Sequence, residues 1–302
     1  MNRDRCRPRS KFVPGVTRHL RIRGEKISFG AEPWLMGILN VTPDSFSDGG
    51  KFFAPEAAVE RALELIEQGA KIIDIGGEST RPGSKGIPSK EELKRIIPVV
   101  QKLRRQTSTY ISIDTRKSQV ARAALEEGAD LINDISALRH DPEMAQVAAS
   151  YQVPVVLMHM LGEPETMQAS PHYNNLLFDI KYFFLTRMRE ASRAGIQEDS
   201  LILDPGIGFG KTVEDNLKII NNLDYYHELK RPILIGPSRK SFIGKILGVG
   251  PENRLEGTIS AVIMSYLRGA IIFRVHDVKE VKRALQVAES IVKEIKVAGQ
   301  DV

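Results

Sequence analysis

Three short polar side chains, Asp114, Asn133 and Asp204, each close an apolar run, and a group of basic residues, Arg239, Lys240, Arg274 and His276, follows two more. Carboxylate and amide oxygens accept from ring N–H and exocyclic amino groups, and Asn also donates, so the trio suits a flat nitrogen heterocycle. Carboxylates that face one another repel and shift in pKa, which makes a donor-rich ligand their natural partner. The basic group suits an anion, phosphate above all. Each residue alone could cap a strand. A donor-rich ring on one side and an anion on the other is far harder to reach by capping.

The stretch 36–50, MGILNVTPDSFSDGG, adds a third set of groups. Its apolar half shows no alternation, so both faces should be covered, as in a parallel sheet wrapped in helices. Its polar half carries Asn40, Thr42, Asp44, Ser45, Ser47 and Asp48 on glycine hinges, more oxygen ligands and hydroxyls than a turn requires.

The elements that must position these groups follow from the same pattern. Seven further apolar runs end in polar residues, at 71–77, 110–115, 130–134, 153–159, 201–206, 231–236 and 270–276. Helical spacing fills the gaps at 55–68, 90–105, 117–127, 141–150, 174–194, 213–228, 253–268 and 278–297. Pro55 suits a first helical turn, and Gly69, Gly128 and Gly269 stand where helices should stop. Eight alternating units in about 270 residues predict an α/β chain forming one (β/α)8 TIM barrel, a fold that commonly takes about 250. A doubly wound open sheet would need a switch point and a glycine fingerprint after its first strand, and neither is visible. The barrel places function at the C-terminal ends of strands, with phosphate after strands seven and eight.

Composition narrows the classes. No apolar run approaches the roughly 18 residues needed to cross a bilayer, so no membrane span is expected. The single cysteine, Cys6, forms no internal disulfide, which suits a reducing cytoplasm. The net charge of +5 hints at nucleic acid, but residues 1–23 carry +7 of it and the remainder is near −2. The body is therefore no basic nucleic-acid surface. Residues 1–30 are expected to be a basic, solvated, largely disordered extension without an apolar signal core, and 31–302 the barrel.

Some motifs fail on spacing. GIGFGKT at 206–212 resembles a phosphate loop, but the first glycine slot is Pro205, and the third slot of a dinucleotide fingerprint is Lys211. The sequon Asn40-Val41-Thr42 sits at a strand end with no export signal. His159 and His172 have no neighbouring His or Cys cluster to suggest zinc, and His159 is expected to be a hydrogen-bonded packing residue.

NVTPDSFSDGG at 40–50, DIGGESTRPG at 74–83, SIDT at 112–115, LMHM at 157–160, DPGIGFGKT at 204–212, SRKSF at 238–242 and RVHDV at 274–278 together resemble dihydropteroate synthase. The motifs occur in that family's order from about residue 36 to the C-terminus. The resemblance implies condensation of 6-hydroxymethyl-7,8-dihydropterin diphosphate with 4-aminobenzoate, giving 7,8-dihydropteroate and diphosphate in folate synthesis. It makes Asp114, Asn133, Asp204 and Lys240 pterin contacts, with Met158 and Phe209 lining the ring. Arg274, His276 and Asn40 would hold diphosphate, and Asn40 with Asp48 would ligate Mg2+. Thr80, Arg81, Pro82, Phe46 and Ser241 would frame the aminobenzoate. Departure of diphosphate would leave a ring-stabilised cation, an SN1-like path in which Asp114, Asp204, Lys240, Arg274 and His276 carry the electrostatics. A homodimer through outer helices is a further family expectation. A corrinoid-linked methyltransferase domain shares such a barrel but needs no diphosphate grip, and a non-catalytic pterin-binding barrel would tolerate loss of Arg274 and His276.

Overall fold

A computed structural model of the chain describes residues 18–29, 32–42, 55–79, 83–84, 86–163, 165–168 and 171–294. It opens with an antiparallel hairpin, β1 (Arg18–Ile22) and β2 (Glu25–Phe29). Arg23 and Gly24 turn it, both at positive φ, as a two-residue turn matched to strand twist requires.

Eight parallel strands follow: β3 (Trp34–Asn40), β4 (Ile72–Gly76), β5 (Tyr110–Asp114), β6 (Leu131–Asp134), β7 (Val155–Met158), β8 (Leu201–Asp204), β9 (Leu234–Ile235) and β10 (Ile272–Val275). They pair in the order β8-β7-β6-β5-β4-β3-β10-β9. The Leu203 N–H donates to the Pro232 carbonyl at 3.0 Å, which brings β8 onto the segment entering β9 and all but closes the barrel. The eight apolar runs thus form the expected TIM barrel in one domain.

Outside lie α1 (Pro55–Glu67), α2 (Ser89–Arg104), α3 (Ser118–Glu126), α4 (Met144–Tyr151), α5 (Leu176–Arg193), α6 (Val213–Asn221), α7 (Ser241–Leu247), α8 (Leu255–Leu267) and α9 (Val278–Lys293). Two differ from expectation. The helix foreseen over 213–228 stops at Asn221, because the Asn222 side chain donates to the Lys218 carbonyl at 2.7 Å and the chain tightens into a 3₁₀ turn, Leu223–Leu229. Helix α7 was not foreseen, its seven residues being too few to show a period.

Strand side chains alternate between two cores. Outward residues such as Ile73, Ile75, Ile111, Ile113, Leu157, Leu203 and Phe273 pack under the helices. Inward Met36, Ile72, Leu131, Val156, Ile202, Leu234 and Ile272 form an apolar floor, and Leu20, Ile22 and Phe29 of the hairpin join the same cluster from below. The disordered extension expected over 1–30 is therefore corrected for residues 18–29, which plug the barrel. The excess of positive charge hid their alternation, and three of the arginines counted as solvated tail are anchors. Arg18 donates to the Gly269 carbonyl, Arg21 pairs with Asp199 at 3.3 Å and Arg23 with buried Asp130 at 2.6 Å. Residues 1–17 lie outside the described residues. No helix among those described is long and apolar enough to cross a membrane.

Candidate active site

One pleat above the floor the inward positions turn polar. Two residues on from Ile72, Leu131, Ile202 and Ile272 come Asp74, Asn133, Asp204 and Arg274, and four on from Tyr110 comes Asp114. The same strand period that builds the floor therefore delivers the chemistry to the lumen at the C-terminal end.

Arg274 reaches across the lumen. Its Nε donates to Asp74 Oδ2 at 2.5 Å and its Nη2 to Asp114 Oδ2 at 2.8 Å, while Asn133 Nδ2 donates to the same Asp74 oxygen at 3.0 Å. Burial pulls the Arg274 pKa down, but the carboxylates of Asp74 and Asp114 more than reverse this and raise it. Burial pushes Asp114 up to about 7, against the pull of Arg274 and with the help of the Asp74 charge. Asp204 is pushed to about 6 by burial, although its Oδ1 accepts the Gly206 N–H at 2.7 Å.

One side of the mouth is apolar: Met158, Phe209, Ile135, Met160 and Met167 form a separate buried cluster. The Lys240 ammonium lies 4.0 Å from the Phe209 ring centroid, and burial and the Arg274 charge lower its pKa to about 8. Facing it is His276, lowered to about 3 by burial and the Arg274 cation, hence neutral. Its backbone N–H donates to Ser238 Oγ at 3.2 Å and that hydroxyl lies 2.9 Å from Nδ1, an arrangement that suits the tautomer with the ring proton on Nε2.

The loop 205–212 that fails as a phosphate loop brings Phe209 over the mouth. Gly206, Gly208 and Gly210 all hold positive φ, and a Cβ on Gly206 would lie 2.0 Å from the His159 carbonyl oxygen. Buried Lys211 stitches the loop down, with Nζ 2.9 Å from the Phe209 carbonyl and 3.0 Å from His159 Nδ1. His159 is the packing residue expected of it, its ring edge-on to Phe183 at 4.9 Å.

The structure thus brings together Asp114, Asn133, Met158, Asp204, Phe209, Lys240, Arg274 and His276. Asn40 ends β3 in register with Gly76, which itself pairs with Asp114, so it stands on the same rim. Ser241 opens α7 next to Lys240 and is exposed. Arg239 does not join the cluster: it turns outward, and its Nε donates to Asp277 Oδ2 at 3.1 Å. Phe46, Asp48, Thr80, Arg81 and Pro82 lie outside the described residues. Two partners escaped the sequence reading. Ser238 has no distinguishing signal. Asp74 did have one, a charge in the middle of an apolar run and in the same phase as Ile72.

The family model for pterin binding enzymes matches residues 36–276. The dihydropteroate synthase of Synechocystis is 46% identical over 264 residues, 87% of this chain and 91% of that protein. Two crystal structures from Xanthomonas albilineans share the fold. Dihydropteroate synthase with 4-aminobenzoic acid superposes with a TM-score of 0.85 at 43% identity, covering 93% of this chain and 100% of the other. The same enzyme with 7,8-dihydropteroate gives 0.81 at 40%, covering 92% and 100%.

Proposed function

The chain belongs to the pterin binding enzymes and, among them, to the dihydropteroate synthases, and we propose that the residues converging on its barrel mouth divide the reaction between them as follows. The reaction is the condensation of 6-hydroxymethyl-7,8-dihydropterin diphosphate with 4-aminobenzoate to dihydropteroate and diphosphate, a step of folate synthesis. Asp114, Asn133 and Asp204 read the donor-rich edge of the pterin, whose face lies along the apolar side of the mouth formed by Met158 and Phe209, with Lys240 beside Phe209 at the ring's margin. Arg274 and the Nε2 proton of His276 take the diphosphate.

The observation that carries this division is the placing of Arg274 between two buried carboxylates in one lumen with Asn133 and Asp204. A grip for anions stands directly beside acceptors for a heterocycle. When the C–O bond to diphosphate breaks, positive charge spreads into the dihydropterin ring, where Asp204 and Asp114 favour it electrostatically. The neutral aryl amine then forms the C–N bond and sheds its proton to water. No side chain needs to act as a nucleophile, and positioning of the amine, with Ser241 at the rim, is the remaining task.

Among the described residues no three acidic, His or Cys side chains gather into a metal cage, but the amide oxygen of Asn40 fits a hard cation shared with substrate phosphates, as Mg2+ is usually held. Bound there, Mg2+ would neutralise leaving-group charge. The exposed Ile246 and Leu247 of α7, Met264 of α8, and Val287 and Ile291 of α9 lie on consecutive outer helices and favour a homodimer. A cytoplasmic setting fits the single cysteine.

Incubating the protein with Mg2+, the dihydropterin diphosphate and labelled 4-aminobenzoate tests the function. Labelled dihydropteroate is the expected product. Methyl transfer from a methylated tetrahydropterin to a corrinoid, without that product, would favour the methyltransferase reading instead.

A further inference from the structure

The carboxylate of Asp74 occupies a singular place in the barrel. It is wholly buried, so it does not face the open mouth as Asp204 and Asp114 do. Its strand lies two strands from β10 on one side and two from β6 on the other, yet the single oxygen Oδ2 receives Arg274 from the first and Asn133 from the second. Among the described residues its other oxygen, Oδ1, has no partner, and neither has Ser112 Oγ, the residue in register with it on β5.

We propose that Asp74 is a positioning residue that couples ring recognition to leaving-group recognition, by holding Asn133 and Arg274 on one carboxylate oxygen. The inference rests on the division of roles given above. The guanidinium is planar and its donors form a fixed fork. With Nε on Asp74 and Nη2 on Asp114, the two protons of Nη1 are left with no partner among the described residues. That pair is the natural grip for a diphosphate oxygen. Without Asp74 the guanidinium has only Asp114 to hold it, and Asp114 is then less available to the ring.

The test uses binding rather than turnover, with inorganic diphosphate and free 6-hydroxymethylpterin as probes. Asp74→Asn keeps the shape and removes the charge. Diphosphate affinity should fall about tenfold or more, the size of one lost charge-assisted hydrogen bond. The pH dependence of pterin binding supplies the readout that a packing role would leave unmoved. Asp114 faces Arg274, Asp74, Glu92 of α2, Asp134 of β6 and Lys240, and it ionises at about 7, so pterin affinity should be present above that pH and lost as pH falls through it. Removing the Asp74 charge, and leaving Arg274 to Asp114 alone, both favour the ionised form. The acid limb should therefore move to lower pH.

A packing role would weaken binding at every pH with the limb in place, and that result, or unchanged diphosphate affinity, overturns the proposal. If Asp74→Asn does not fold, Arg274→Lys decides. Its ammonium keeps the charge but has one nitrogen, which cannot hold both carboxylates and leave a separate donor nitrogen for the anion, so diphosphate binding should still drop, and wild-type affinity would refute the coupling. A wild-type protein that binds both probes in this pattern yet forms no dihydropteroate would refute the functional reading and leave the role of Asp74 standing.

Discussion

Gly206→Ala should unseat the loop that walls the pterin side of the mouth. The residue has φ of +70°, where an L side chain costs about 1–2 kcal/mol. Its Cβ would lie 2.0 Å from the His159 carbonyl oxygen and 3.1 Å from the carbonyl carbon. Both are backbone atoms, and that backbone is fixed from the other side, since the His159 N–H donates to the Asp204 carbonyl at 2.8 Å. Relief must come from moving the loop by more than an ångström. That breaks the Gly206 N–H to Asp204 Oδ1 bond of 2.7 Å and the Phe209 N–H to Gly206 carbonyl bond of 3.1 Å, each worth about 0.5–1.5 kcal/mol. The total is about 2–5 kcal/mol of stability, with Phe209 displaced from the mouth.

Gly248→Ala is the matched control. Gly248 has the same φ of +70° but nothing within 4 Å of the added Cβ, so it should lose only the conformational term of about 1–2 kcal/mol. Urea unfolding of the two variants isolates the cost of the close approach, and calorimetry with 6-hydroxymethylpterin reads the displacement of Phe209. Equal stabilities for the two alanine variants, or wild-type pterin affinity in Gly206→Ala, would refute the reasoning.

Two further outcomes follow from buried charges. Burial lowers Lys211 to about 7 from an unfolded value of 10.5, so between these the unfolded chain binds the extra proton and stability should rise with pH. Unfolding measured from pH 7 to 10 should show this slope in the wild type, and Lys211→Met should flatten it; equal slopes would count against a lysine that burial keeps as the neutral amine. Asp130 receives Arg23, Arg104 and the Ile111 N–H at the base of the barrel, so Asp130→Ala should cost about 3 kcal/mol by urea unfolding. Its kcat should stay within about twofold, because the hairpin staple lies at the opposite end of the barrel from the chemistry; a large fall in kcat at saturating substrate would show that the plug acts on the mouth.

The eight strands were legible because parallel strands covered on both faces must be apolar throughout, and the helix stops because Gly69, Gly128 and Gly269 do adopt positive φ. The hairpin was not, since five arginines and a lysine among the first twenty residues outweigh the alternation of Leu20, Ile22 and Phe29 in any count of charge. The site was legible in its residue types and illegible in its phase. Arg239 and Arg274 both follow apolar runs, and nothing in composition ranks one above the other. What separates them is the pleat: counting by two from the floor residue Ile272 reaches Arg274 and then His276, whereas Arg239 lies past β9 in a turn at positive φ that aims it at Asp277. The same count from Ile72 reaches Asp74, a carboxylate that looks like an interruption in an apolar run until the barrel's phase assigns it to the lumen. A charge buried there is costly unless it is partnered, and only closure of the barrel shows that the partners are Arg274 and Asn133, residues drawn from strands on either side of it.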